Sequence, residues 1–574
     1  LTGLPPTLAE LDQFLAASGE EAYGMELDRL LSSPRYGERM ATLWLDAARY
    51  ADTYGYQSDV DRTVWPWRDW VIDSFSSNQP YDEFLTWQLA GDLLPEATRE
   101  QQLATAFNRL HRQTNEGGST EEEYRLEYVA DRVSTLSTAV LGLTMECAQC
   151  HDHKFDPIPQ EDFYGLAGFF DDIDESGLYS HFTQAVPTPA LDLPTAEQEQ
   201  RARQLEEAVV QAESLVAEGL AEATQSVDLT SQLQGWYRFD QLEATPAQPT
   251  EDGQPGTPGP KERLRNDARA DQHGLAHPEL SLAPGFRGQA LSFSGDAPAT
   301  FPGVGEFQRS DPFSIGLWIW VPGPLERAVV LHRSRAWTDS GSRGYELLIE
   351  EGRASAALIH FWPGDAVRVR TKQVLPLERW VQVTMTWDGS SHASGLKLYV
   401  DGKPAALDVV RDHLQRSILG GDIQHLTLGE RFRDKGFKGG RADDLFVYGR
   451  ELSPIDVARV VLGPDSPTST SMDAASESLP AALEALRVAR RARDAARDGV
   501  MQIMTMRATS SPRSTYLLER GSYLSPSHAV EPHTPPALSA FPLEASLDRL
   551  GLAQWLTDPG HPLTARVEVN RLWQ

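Results

Sequence analysis

Cysteine is almost missing from this chain: there are two in 574 residues, Cys147 and Cys150. So small a number excludes a disulfide framework as the source of stability. Basic residues are in deficit as well, 52 Lys and Arg against 83 Asp and Glu, for a net charge of −31. That balance excludes a nucleic-acid binder, because counterion release needs clustered Lys and Arg. No apolar run reaches the roughly 18 residues that a membrane-crossing helix requires, so no membrane span is expected. An initiator Met and a signal segment with a charged and then an apolar stretch are also lacking. With Leu1 first and Val567 to Gln574 reading as an unfinished helix, the sequence is expected to be a fragment or a processed chain.

What is present describes a globular protein. The hydrophobic fraction is 40% and the mean hydropathy −0.41, and the length exceeds what one core can serve. The pattern predicts a multidomain protein, mainly helical first and all-β in the middle. Residues 1–190 form a helical domain. Pro5, Pro6 and Thr7 suit a helix start before Leu8, Leu11, Phe14 and Leu15. A second segment runs from Tyr36 to Tyr50, and a third carries Trp65, Trp67, Trp70, Val71 and Phe75. Five of the 14 Trp lie between Trp44 and Trp87, which marks an aromatic core or a cofactor wall, the core being favoured. Thr120 and Glu123 have capping-box spacing and open a helix expected to reach Glu146. Residues 191–230 read as a charged helical linker. Within 231–465 the period changes to two, as in Phe313, Ile315, Leu317 and Ile319, with turns such as Asp388-Gly389, which predicts a β-sandwich. The Pro/Gly-rich residues 241–262 read as a loop insertion in it. Residues 466–506 read as a second helical linker, and 507–574 as the start of a further domain.

The sharpest signal is Cys147-Ala-Gln-Cys150-His151. Two thiols at this spacing followed directly by His, with 14 His in the chain, arise by chance about once in ten thousand such sequences. The triplet fits thioether attachment of both haem vinyl groups, with His151 as proximal iron ligand. Three other readings stay open. They are a dithiol redox pair with His151 as activator, a zinc site with His151 or His153 and a distant carboxylate, and a local disulfide or inert thiols. The sixth ligand is undetermined. No Met occurs between Met145 and Met385, which weakens a His/Met centre. His181, His111 and His153 are the histidines that could close a bis-His site, His153 least readily because it lies two residues from His151. Asp152 and Asp156 flank the motif and could tune the imidazole through its second nitrogen or cap the turn before Pro157.

Two stretches resemble known families. Trp-Leu-Asp-Ala-Ala-Arg-Tyr-Ala-Asp at 44–52, Gln-Leu-Ala-Gly-Asp-Leu-Leu-Pro at 88–95, Asn-Glu-Gly-Gly at 115–118 and Cys-Ala-Gln-Cys-His-Asp-His-Lys-Phe-Asp-Pro-Ile at 147–158 carry the first. With Leu-Thr-Gly-Leu-Pro-Pro-Thr at 1–7, they make residues 1–190 resemble the planctomycete-type cytochrome c-like family of secreted multidomain proteins. Leu-Glu-Arg-Gly-Ser at 518–522 and Leu-Thr-Ala-Arg-Val-Glu-Val-Asn-Arg-Leu-Trp-Gln at 563–574 resemble the start of that family's C-terminal domain. The middle segment resembles the laminin G-like, concanavalin-type jelly roll through Gly285 to Leu291, Trp387-Asp388-Gly389, Leu398 to Gly402 and Gly440 to Leu445.

The first resemblance implies a covalent haem c on Cys147 and Cys150 with His151 as axial ligand, and a periplasmic or secreted location. The second implies a polysaccharide ligand, in some such modules with calcium. No motif places a calcium ligand, and Asp443 and Asp444 read as turn and edge residues as readily as ligands. The function expected from both is electron transfer or redox chemistry linked to polysaccharide binding or degradation. Its enzymatic version is an oxidoreductase acting on carbohydrate, with the haem as electron outlet to a redox partner protein. The alternative is a structural or glycan-binding surface protein whose Cys-X-X-Cys-His motif binds zinc or is not redox active.

Overall fold

The computed structural model describes residues 1–573 apart from 18, 57, 223–228, 245–261, 422–424 and 463–477. Most of the loop insertion expected at 241–262, and the first part of the linker expected at 466–506, lie outside the described residues. The chain divides into two compact units, and both are discontinuous in sequence. The first comprises Leu1–Tyr179, Val186–Leu193 and Met501–Gln574, and the second Ser180–Ala185 and Pro194–Val500. The chain leaves the first unit after strand Ala190–Leu193 and re-enters it through strand Met501–Met504, and these two strands pair antiparallel, Leu191 opposite Ile503.

The helices of the first unit follow local signals. Thr7 and Glu10 form a reciprocal capping box at Leu8–Ala16, and Pro34 opens helix Pro34–Ala47 behind the Ser33 cap. Helix Trp65–Ser76 buries Trp67, Trp70 and Val71, and Tyr81–Ala90 buries Phe84, Leu85 and Leu89. Trp44, Trp67 and Trp70 are core, whereas Trp65 is exposed: Trp44 packs on Phe84 and Phe107 with ring centroids 5.0 and 5.8 Å apart, and Trp70 stacks on Phe84 at 5.4 Å. The cluster also takes in Ile503, Met506, Leu518 and Trp555 from the C-terminal stretch. Two segments more than 450 residues apart meet here, because Arg549 donates to both carboxylate oxygens of Asp92 at 2.7 Å.

Two element boundaries differ from the sequence pattern. The helix expected from Thr120 to Glu146 runs only from Glu121 to Leu136 and passes through a wide turn, Ser137–Leu141. Gly142 then ends it at φ 65°, a left-handed conformation that glycine supplies at little steric cost. The Thr120 side chain makes no capping bond. The helix expected to reach Met506 ends at Asp498, because Met501–Met504 is drawn into the strand pair with Ala190–Leu193.

The second unit is a large antiparallel β-sandwich. One sheet runs in the order Leu407–His413, Asp365–Thr371, Arg353–Phe361, Gly344–Glu350, Arg327–Arg333, Leu426–Leu428 and Ala299–Phe301, continuing through three short strands. The other is centred on Trp380–Trp387, Phe313–Trp320 and Arg441–Tyr448. Alternating residues of the two sheets meet in one core, Phe313, Ile315 and Leu317 from one and Tyr345, Leu347 and Ile349 from the other. Helices Ala196–Glu222 and Ser478–Asp498 pair through Val209, Ala212 and Leu486, with Arg490 bonded to Glu213 at 2.9 Å. The acidic helix and the arginine-rich helix are thus each other's partners. No helix among the described residues is long and apolar enough to cross a membrane.

Candidate functional site

Beyond Gly142 the backbone forms a short 3-10 turn, Met145–Gln149, that buries Met145 and Ala148 and leaves Cys147 and Cys150 exposed as free thiols. The apolar residues anchor the turn, so Cys147 between them and Cys150 just past them are left at the surface. His151 is exposed too, and its Nδ1 lies 2.7 Å from the carbonyl oxygen of Asp152. An Nδ1–H donated to that carbonyl fixes the tautomer and leaves the Nε2 lone pair for a ligand, the usual outer contact of a metal-binding histidine. The partner is the Asp152 backbone. The Asp152 carboxylate instead accepts from the Gln160 N–H at 2.8 Å, at the start of helix Gln160–Gly168. His153 is held locally, its Nδ1 accepting from the Asp156 N–H at 2.8 Å. Asp156 in turn closes the turn before Pro157, its carbonyl accepting from Ile158 N–H at 2.8 Å.

The turn is held from the C-terminal stretch. Gln160 Nε2 donates to the carbonyls of Gln149 and Leu518, at 2.9 and 3.0 Å. Gly521 sits against the thiol with φ 72°, and a Cβ there would lie 3.0 Å from Cys150 Sγ. Glycine therefore provides clearance around that sulfur, which a group attached to Cys150 would need. The segment Leu-Glu-Arg-Gly-Ser at 518–522 and the Cys-X-X-Cys-His turn form one site. Sequence reasoning had both motifs but not their contact, and Gln160 carried no signal at all.

Beside this turn, helices Glu121–Leu136 and Gln160–Gly168, strand Thr515–Leu518 and residues 521–523 line a cavity of about 270 Å3. Gln149 and Gly521 belong to its wall. Tyr164, on the same wall, donates its hydroxyl to the Gln149 carbonyl at 3.0 Å, and burial pushes its pKa up to about 12.

The other histidines are placed as follows. His111 is buried with both ring nitrogens engaged, Nδ1 3.0 Å from the Arg112 carbonyl and Nε2 3.1 Å from Arg132 Nη2. It also stacks on Tyr128 at 4.3 Å. Burial, then the Arg132 and Arg109 cations, hold its pKa well below the ordinary histidine value, so it is neutral and spent on structure. His181 lies in Ser180–Ala185, which belongs to the second unit, whereas the cysteine turn belongs to the first.

Around His111 lies a buried ion cluster. Glu175 accepts from Arg109 Nη1 at 2.9 Å, from Arg132 Nη2 at 2.8 Å and from Arg132 Nη1. Burial alone would raise the Glu175 pKa, but Arg132 and Arg109 together hold it down to about 2. In the sandwich, Asp443 accepts backbone N–H bonds from Asp444 at 2.8 Å and Arg287 at 3.0 Å, so its oxygens serve the strand edge. Among the described residues no group of three or more His, Cys, Asp or Glu side chains is arranged to hold a metal ion, and no calcium ligand set is placed.

Comparison with known proteins divides the chain in the same way. Residues 1–175 match a family described as a protein of unknown function (DUF1549), and residues 548–574 match another, DUF1553. Residues 293–458 match the concanavalin A-like lectin/glucanases superfamily. No curated protein matches. Similar solved structures include the binding domain of Paraclostridial Mosquitocidal Protein 1, at 11% identity and TM-score 0.29, covering 41% of this chain and 52% of that one. The receptor binding domain of botulinum neurotoxin D matches at 12% identity and TM-score 0.28, covering 41% of this chain and 54% of that one. The alignments span about half the length of those chains, and likeness at this level carries no argument about the site. The chain is a multidomain protein with stretches like two families of unknown function at its two ends and a concanavalin-like β-sandwich between them.

Proposed function

We propose that the Cys147–His151 turn is a covalent haem c site, and that the chain is an extracytoplasmic haem protein that relays electrons while its sandwich unit binds polysaccharide. The observation that carries the reading is the presentation of the triplet. Two free thiols three residues apart are exposed beside a histidine whose Nδ1 is committed to a carbonyl. Cys147 and Cys150 would hold the haem through thioether bonds and His151 Nε2 would bind its iron, the group supplying one-electron chemistry. The residues of the chain do the positioning. Asp152 orients the imidazole, Gln160 ties the turn to Leu518, and Gly521 leaves room at the Cys150 sulfur. The polysaccharide part rests on the superfamily match of the sandwich alone, a fold-level analogy. Oxidation of a carbohydrate, with electrons leaving through the haem to a partner protein, is the enzymatic form of the same reading.

The test is the spectrum of the denatured protein in pyridine and dithionite after export alongside a c-type maturation system. Two thioether links are expected to give a reduced α-band with one iron per chain, and Cys147→Ala is expected to shift that band toward the single-linked form. No band, with one zinc per chain in its place, would overturn the proposal in favour of a structural metal site on a glycan-binding protein.

A further inference from the structure

We infer that His533 and Asp162 form a proton-operated latch, closed at acidic pH and loosened as the pH rises, that seats the C-terminal stretch on the helix bracing the cysteine turn. The latch is built from the chain's own residues and is independent of the haem reading. Its seat is made by two glycines three residues apart on helix Gln160–Gly168. A Cβ at Gly165 would lie 2.4 Å from the His533 ring, and one at Gly168 would lie 3.1 Å from Pro532, so the glycines leave the notch in which Pro532 and His533 rest. The His533 N–H also donates to the Gly165 carbonyl at 3.2 Å. The same helix is bonded to the cysteine turn through Gln160 and Tyr164.

The partners of the ring decide what operates the latch. Nδ1 lies 3.0 Å from the Glu531 carbonyl oxygen, and Nε2 lies 3.2 Å from Asp162 Oδ1. Both partners are acceptors, whereas a neutral imidazole carries one N–H and the imidazolium carries two. The two contacts therefore need two protons held between the ring and the carboxyl group. Once one of them is lost, either the Glu531 carbonyl or the Asp162 carboxylate faces a lone pair. Asp162 has little else to turn to: its side chain is 5% exposed, its Oδ2 is buried without a partner, and His533 is the only side chain bonded to it among the described residues. Leaving such a group unsatisfied carries its full desolvation cost. Burial holds the Asp162 pKa above the usual carboxylate range, against the pull of His533, and this acts in the same direction, weakening the contact as pH rises. The other titratable groups nearby are Glu161 on the same helix, His528 of strand Pro526–Val530, 3.8 Å from Glu161, and the exposed Glu531. The Glu161 charge also opposes ionisation of Asp162.

Hydrogen exchange of the full chain, followed by mass spectrometry at about pH 5.5 and about pH 8.5 and corrected for the intrinsic pH dependence of exchange, tests this. Protection of the peptide carrying Glu531 to Thr534 is expected to fall at least about fivefold at the higher pH, relative to helix Trp65–Ser76 of the same unit. His533→Gln keeps a donor but does not titrate, and Asp162→Asn can donate or accept at either pH. Each is expected to cut the pH dependence to about twofold or less. A wild-type fall of less than about twofold would overturn the proposal, as would an undiminished fall in both folded variants. The wild-type series decides by itself if a variant does not fold. The haem band of the same preparations is read separately, because either result can fail without the other.

Discussion

Replacing Glu175 by Gln should damage the first unit more than any surface change. Glu175 is 2% exposed, and it is the only carboxylate bonded to Arg109 and Arg132 among the described residues, each of them 1% exposed. The substitution keeps the shape but leaves two buried guanidinium groups facing a neutral amide. Removing one partner of a buried ion pair costs about 3–5 kcal/mol. At about 2–4 °C per kcal/mol for a unit of this size, its thermal midpoint should fall on the order of 10 °C. Two units make a single transition an unsafe assumption, so the measurement is calorimetry with the sandwich transition as internal control. The pH dependence has a definite sign. The folded pKa of Glu175 is about 2 against 4.5 in the unfolded chain, so its contribution is present above pH 4.5 and disappears as pH falls from there towards 2. Glu175→Gln should therefore flatten the acid limb of the first transition. A variant whose first transition moves by less than 2 °C, with an unchanged acid limb, would refute the assignment of this cluster as the brace of the unit.

Two further outcomes follow from particular side chains. Burial, with some repulsion from Asp444, pushes the Asp443 pKa up to about 7, well above the 3.8 of the unfolded chain. The sandwich is then most stable below pH 3.8 as far as this group is concerned and loses that contribution as pH rises through 7; Asp443→Asn should flatten the fall in its thermal midpoint over that window. Gly521→Ala places a Cβ at 3.0 Å from Cys150 Sγ on a backbone with φ 72°. It should slow alkylation of Cys150 about threefold or more while leaving Cys147 unchanged, at roughly 1 kcal/mol of stability; a Cys150 rate unchanged by the substitution would remove Gly521 from the site.

The order of the structural layers was legible in the sequence because hydrophobic period is local. A spacing of three to four around Trp67, Trp70 and Val71 and a spacing of two at Phe313 to Ile319 are recorded in consecutive residues. One boundary failed because a distant partner decided it. Met501–Met504 continues a helical pattern but becomes a strand because Ala190–Leu193 lies beside it. His111 could not be separated from a ligand by its sequence neighbours, since Arg132 and Glu175, which neutralise its role, come 21 and 64 positions later.

The sequence by itself determined the triplet Cys147, Cys150 and His151, the acidic balance and the change from helix to sheet, since all of these are properties of residues close along the chain. Tertiary structure decided that the C-terminal stretch closes on the first unit, and that Leu518 and Gly521 complete the surroundings of Cys150. Contacts between residues about 370 positions apart leave no local periodicity to read. They exist because the apolar faces of those segments must be buried against one another, and the first unit is where those faces match.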